Sequence, residues 1–135
     1  MNSNMEKPYV VGIDIGGTNT VFGVVDARGT IIASGSIKTG AYPDVNEYVD
    51  AVCKNLLPLI VANGGSDKIK GIGIGAPNGN YYSGTIEFAP NLPWKGIISL
   101  AAMFEERLGI PTALTNDANA AAIGEMTYGA ARGMK

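Results

Sequence analysis

The stretch GIDIGGTNT, Gly12 to Thr20, sets one acidic side chain and two adjacent glycines between apolar runs that alternate as strands do. Two readings are open. In the first, Gly16 and Gly17 supply the backbone freedom of a hairpin turn and Asp14 hydrogen-bonds that turn. In the second, the turn is bare so that an anion can reach it: consecutive N–H groups form a phosphate-sized concavity, and Thr18 and Asn19 add donors. Asp14, at the strand's end, then suits a hydrated magnesium ion, which keeps several waters and prefers carboxylate oxygen. The stretch is not a P-loop, since no Gly-Lys-Ser/Thr follows, and not a dinucleotide fingerprint, since a strand follows where a helix should start.

Outward from this turn, alternation predicts strands over Tyr9–Ile15, Thr20–Asp26 and Thr30–Ile37, an antiparallel meander joined at GGTN and ARG. A helix is expected after Asp44, which with Glu47 resembles a capping box; Val45, Tyr48, Val49, Val52, Cys53 and Leu56 repeat at helical spacing. Pro58 should kink or shorten this helix, and Asn63-Gly64-Gly65 should end it. IKGIGIGAP reads as a buried strand with Gly71, Gly73 and Gly75 on one face, where something must pack closely. NGNYYSGTIEF reads as a small hairpin, Ile97–Leu108 as a helix closed by Gly109, and Pro111–Leu114 as a brief strand. An alanine-rich helix is expected after Thr115. The order implies a mixed sheet with parallel crossovers and helices on its faces.

The chain of 135 residues is one domain by size, with 46% apolar and 16% charged residues and a formal charge of −2. That charge gives no electrostatic case for nucleic acid or an anionic membrane as partner. Met1–Pro8 lacks the apolar core of a secretory signal and no stretch reaches the length of a membrane span, so a cytoplasmic protein is expected. Cys53 is the only cysteine and histidine is absent, which removes an internal disulfide and the usual metal clusters. Cys53 is read as a small core residue.

Two further stretches could carry chemistry. In TNDANAAA, Asn116 and Asp117 stand just after a strand at a helix N-terminus, where free N–H groups and the helix dipole favour negative charge. Ionised Asp117 could accept the proton of an alcohol that becomes a nucleophile; the alternative is a plain N-cap. In FAPNLPW, two prolines hold an extended loop that presents Asn91, while Trp94 either covers the C–H face of a sugar or plugs the core edge, the second being the commoner fate of a lone tryptophan.

Taken together, DIGGTNT at 14–20, GIGIGAP at 71–77, APNLPW at 89–94 and TNDANAAAIGE at 115–125 resemble the ROK family of sugar kinases and repressors. Four motifs in this order and spacing are far more specific than any one of them. The resemblance implies an α/β fold, an actin/hexokinase-like (ribonuclease H-like) ATPase lobe with a mixed five-stranded sheet and helices on both faces. Residues 1–135 would form the N-terminal, sugar-side lobe of a glucokinase-like enzyme that transfers phosphate from ATP to the primary hydroxyl of a hexose. Gly16, Gly17, Thr18 and Asn19 would form the phosphate loop, with Asp14 near Mg²⁺ through water. Gly75, Ala76, Pro77, Asn91, Asn116 and Asp117 would line the sugar site, and Asp117 would be the catalytic base.

The family's second lobe, with the adenosine site, a further phosphate loop and usually a zinc motif, would follow beyond Lys135, so zinc is expected only there. The isolated chain is therefore expected to be inactive. Family members often dimerise, largely through parts outside this chain. The alternatives are a sugar-responsive transcriptional regulator of the same family, whose N-terminal winged helix has no counterpart before the first strand here, and a non-catalytic sugar-binding module. Two departures stand out: Asn19 where many members have Lys, and Asn78 where a Gly more often follows GAP.

Overall fold

Alternation around the opening turn becomes three consecutive strands, β1 (Tyr9–Ile15), β2 (Asn19–Val25) and β3 (Ile31–Lys38). The computed structural model describes residues 8–80, 82–90 and 92–115. β1 and β2 pair antiparallel from Val10↔Val25 to Ile15↔Thr20, and β3 adds to the far side of β2. In the second turn the Asp26 carboxylate accepts from the Arg28 and Thr30 amides at 2.9 and 3.0 Å, the local side-chain bonding that makes aspartate a turn residue.

The chain then forms α1 (Val45–Ala62), β4 (Ile69–Gly75), β5 (Gly79–Asn80), β6 (Thr85–Glu87), β7 (Ile97–Ile98), α2 (Leu100–Leu108) and β8 (Thr112–Thr115). The main sheet runs β3-β2-β1-β4-β8, with β4 parallel to β1 and β8 parallel to β4. A small antiparallel sheet, β5-β6-β7, projects from the connection between β4 and α2.

Asp44 caps α1 by accepting the Asn46 amide at 2.8 Å, and Tyr48, Val49, Val52, Leu56 and Ile60 form its buried stripe. Of the two effects expected of Pro58, a kink or a shortening, the shortening does not occur: the helix continues to Ala62. Proline removes the bond to the Lys54 carbonyl, but both residues are exposed and water can satisfy that oxygen. The stop comes at Gly64 and Gly65, with φ of 107° and 90°, where the Gly65 amide bonds the Ile60 carbonyl at 2.9 Å.

A second difference lies at Ile97 and Ile98, expected to open a helix. They pair instead with Glu87 and Ile86 as β7, and α2 begins only at Leu100. The open edge of β6 offers their amides partners that a frayed first helical turn would not. Gly109, left-handed at φ 68°, closes α2 as expected.

One core joins Val11, Ile13, Phe22, Ile72, Ile74 and Leu114 of the sheet to the buried faces of α1 and α2, so both described helices lie on the same face. The opposite face carries a row of small residues across all five strands, Ser34, Gly23, Gly12, Gly73 and Ala113, with Val10 and Val25 buried as a separate pair. At Gly71 close approach is not what demands glycine, since an added Cβ would meet only the Pro111 carbonyl oxygen at 3.5 Å, an ordinary contact. The helix expected beyond Thr115 lies outside the described residues.

Candidate functional site

The Gly16–Asn19 turn is closed by a hydrogen bond from the Gly16 amide to the Asn19 carbonyl at 2.9 Å. An added Cβ on Gly16 would stand 2.9 Å from that same backbone oxygen, so close approach, with no left-handed φ, requires glycine there. Gly17, Thr18 and Asn19 are exposed. Among the described residues, neither the Gly17 nor the Thr18 amide donates to a protein acceptor. The stretch is thus a tight hairpin turn whose Gly16 amide is committed to the turn itself, and the second reading is narrowed to the Gly17 and Thr18 amides.

Sheet register then places three strand ends side by side. Asp14 pairs with Gly75, and Gly75 with Thr115, so one row crosses the carboxyl ends of β1, β4 and β8. Neighbouring strands lie about 4.8 Å apart, so Asp14 and Thr115 are separated by about 10 Å. β1 runs into Gly16–Asn19 and β4 into Ala76–Pro77 at this end, where β8 also finishes and where parallel strands of α/β folds present their ligand crevices. Asn91, Asn116 and Asp117 lie outside the described residues.

Beside this row, the main chain of Ala76 accepts from the Gly79 amide at 3.2 Å, making a tight turn through Pro77 and Asn78. Asn78 is left-handed, at φ 57°, the conformation that a glycine takes most readily and asparagine tolerates next best. Its side-chain amide donates to the carbonyls of Glu87 and Phe88 at 3.0 and 3.1 Å, and its carbonyl accepts from the Glu87 amide at 3.1 Å. The substitution of Asn for the more usual Gly thus keeps the turn and adds a clamp onto the segment that enters FAPNLPW. Phe88, in that segment, is itself at φ 54° and exposed.

Trp94 is 5% exposed and donates its indole N–H to the Tyr42 carbonyl at 2.9 Å, so it plugs the core edge and is no open sugar platform. Its ring lies 4.3 Å from that of Tyr48. Tyr48 in turn bonds the Thr20 hydroxyl at 2.7 Å, and Thr20 bonds Thr39 at 2.8 Å, all three fully buried. Burial drives the Tyr48 phenol well above its ordinary range, partly offset by the Thr20 bond. This hydroxyl chain was invisible to sequence reasoning, because its members are 19 and 28 residues apart.

Cys53 is half-buried against the core, and burial foremost pushes its thiol up to about 11, the Arg107 charge lowering it and Asp50 raising it. It is therefore a packing residue with little thiolate near neutral pH. Among the described residues no group of three or more metal-ligating side chains occurs, and no helix is long and apolar enough to cross a membrane. A depression of about 640 Å³ lies at the sheet edge between Ser83, Ala101, Glu105, Glu106 and Thr112. Its two glutamates would repel phosphate, and none of Asp14–Asn19 or Gly75–Pro77 lines it.

Known proteins resemble this chain in sequence and in fold. A glucokinase of Streptomyces coelicolor is 37% identical over 124 residues, covering 91% of this chain and 37% of its own length. A xylose repressor of Bacillus spizizenii is 29% identical over 140 residues, covering 96% of this chain and 33% of its own. The crystal structure of a ROK family glucokinase from Streptomyces griseus, in complex with glucose and AMPPNP, superposes with a TM-score of 0.71 at 36% identity, over 90% of this chain and 37% of that one. The chain thus spans little more than a third of the length of the glucokinases it matches. The fold is the actin/hexokinase-like one of these neighbours. The ROK family profile matches residues 10–135, nearly the whole sequence, and the chain belongs to the ROK family.

Proposed function

We propose that this chain is the N-terminal, sugar-side lobe of a hexose kinase that transfers the γ-phosphoryl group of ATP to the primary hydroxyl of its sugar. The observation that supports the reading is the row Asp14, Gly75, Thr115, which brings the carboxyl ends of β1, β4 and β8 side by side, with Asp14 and Thr115 about 10 Å apart. Glucose and a nucleotide analogue bound to a glucokinase 36% identical over this lobe support it.

Gly17, Thr18 and Asn19 would cradle phosphate with amides and short polar side chains, Gly16 holding the turn closed. Gly75, Ala76, Pro77, Asn91 and Asn116 would line the sugar side. The Asp117 carboxylate would accept the proton of the primary hydroxyl as its oxygen attacks phosphorus in line, while the amide donors stabilise charge on the phosphoryl oxygens. Asp14, a half-buried carboxylate at the end of β1, would hold a hydrated Mg²⁺ through water, since that ion prefers carboxylate oxygen and keeps several of its waters. Bound there, the ion would neutralise phosphate charge.

In the longer protein that carries this lobe, Asp117→Asn is expected to lower kcat by about 10²- to 10⁴-fold with sugar affinity little changed. Steady-state kinetics over a panel of glucose, fructose, N-acetylglucosamine and N-acetylmannosamine, with sugar binding measured by calorimetry, check both this and the identity of the hexose. Undiminished turnover removes Asp117 from the role. Likeness to a xylose repressor favours a second reading, a sugar-responsive regulator. Sugar binding without turnover by the wild-type protein would select it.

A further inference from the structure

The candidate phosphate loop and the loop that carries Asn91 meet nowhere in sequence, yet one side chain touches the supports of both. Thr20 directly follows the phosphate loop, and the Thr39 amide bonds the Thr18 carbonyl at 2.9 Å, so the loop is braced from behind by Thr20 and Thr39. The Tyr48 hydroxyl closes this brace at 2.7 Å from Thr20. The ring of the same tyrosine lies 4.3 Å from Trp94, which ends the stretch FAPNLPW and is pinned by its bond to the Tyr42 carbonyl. Tyr42 packs edge-on against Tyr48 at 6.4 Å, completing a three-ring cluster. Tyr48 is fully buried on α1 within the close-packed core.

We propose that Tyr48 is a positioning residue that holds the two loops in register, its hydroxyl setting the phosphate loop through Thr20 and its ring setting the sugar-side loop through Trp94. The inference rests on the phosphoryl-transfer reading above. Its two halves separate in kinetics, because the hydroxyl and the ring serve different ligands. Transfer depends on the distance between nucleotide and sugar, so a small shift of either loop raises the KM of the ligand that it holds.

The test uses the longer protein. Tyr48→Phe keeps the ring and removes one buried hydrogen bond, so the KM for ATP should rise about three- to tenfold while the KM for hexose stays within about twofold. Trp94→Phe, which loses the bond to Tyr42, should do the reverse. Thr20→Ser, which retains the hydroxyl, should keep the wild-type KM for ATP where Thr20→Val does not, and this pair decides the matter if Tyr48→Phe fails to fold. Equal changes in both KM values, or none, in a protein whose wild type turns over would overturn the inference and leave the kinase reading standing. A wild type with no turnover on any hexose would remove the kinase reading and this inference together.

Discussion

At the residue scale, Asn78 shows how a departure from a family's usual glycine can be absorbed. Its left-handed φ costs an asparagine less than most residues, and its side chain repays the cost by binding two carbonyls of the neighbouring segment. Asn78→Gly should keep the turn but lose the clamp, lowering stability by about 0.5–1 kcal/mol. Asn78→Ala should lose both, at about 2 kcal/mol or more. Urea denaturation of the three proteins checks this order, and an alanine variant as stable as the glycine one would contradict it. Gly16 teaches the complementary lesson. Sequence reading offered backbone freedom or the approach of an anion as its reason, whereas the structure shows a carbonyl oxygen 2.9 Å from where its Cβ would be. The residue type was legible and its reason was not, because the reason lies in a contact across the turn.

At the element scale, α1 carries a proline that sequence rules would place at its end. The helix persists because Tyr48, Val49, Val52, Leu56 and Ile60 bury one continuous stripe, and tertiary packing outweighs one missing bond on the solvent side. Pro58→Ala should therefore restore the bond to the Lys54 carbonyl and raise stability by about 1–3 kcal/mol without touching the core. A thermal or urea transition that moves down instead would show that Pro58 fills a role in packing. β7 makes the same point from the other side. Ile97 and Ile98 have helical spacing toward α2 but lie against the free edge of β6, and the edge wins. Elements with a long periodic stripe were legible to within about a residue; those decided by a neighbour's open hydrogen bonds were not.

At the scale of the whole molecule, the sheet order brings the ends of β1, β4 and β8 into one row, while the chain spans only 37% of the Streptomyces coelicolor glucokinase. On the proposed kinase reading, the opposite wall of the crevice would belong to a second lobe, and closure of the two lobes would exclude water from the phosphoryl group. The isolated chain is then expected to show no ATP-dependent hexose phosphorylation in a coupled assay in which the longer protein turns over. Activity in the isolated chain would mean that one lobe suffices.

By itself the sequence determined the strand meander, the helix stripe, the glycine turn and the membership of a family, because alternation, helical period and turn chemistry are local properties that a chain carries along its length. Only the tertiary structure decided that Asp14, Gly75 and Thr115 share a row, that Trp94 faces inward onto Tyr48, and that the hydroxyls of Thr20, Thr39 and Tyr48 bond one another in the core. These depend on register and on contacts between residues far apart in the chain, and burial makes each such pairing obligatory only once the surrounding core has formed.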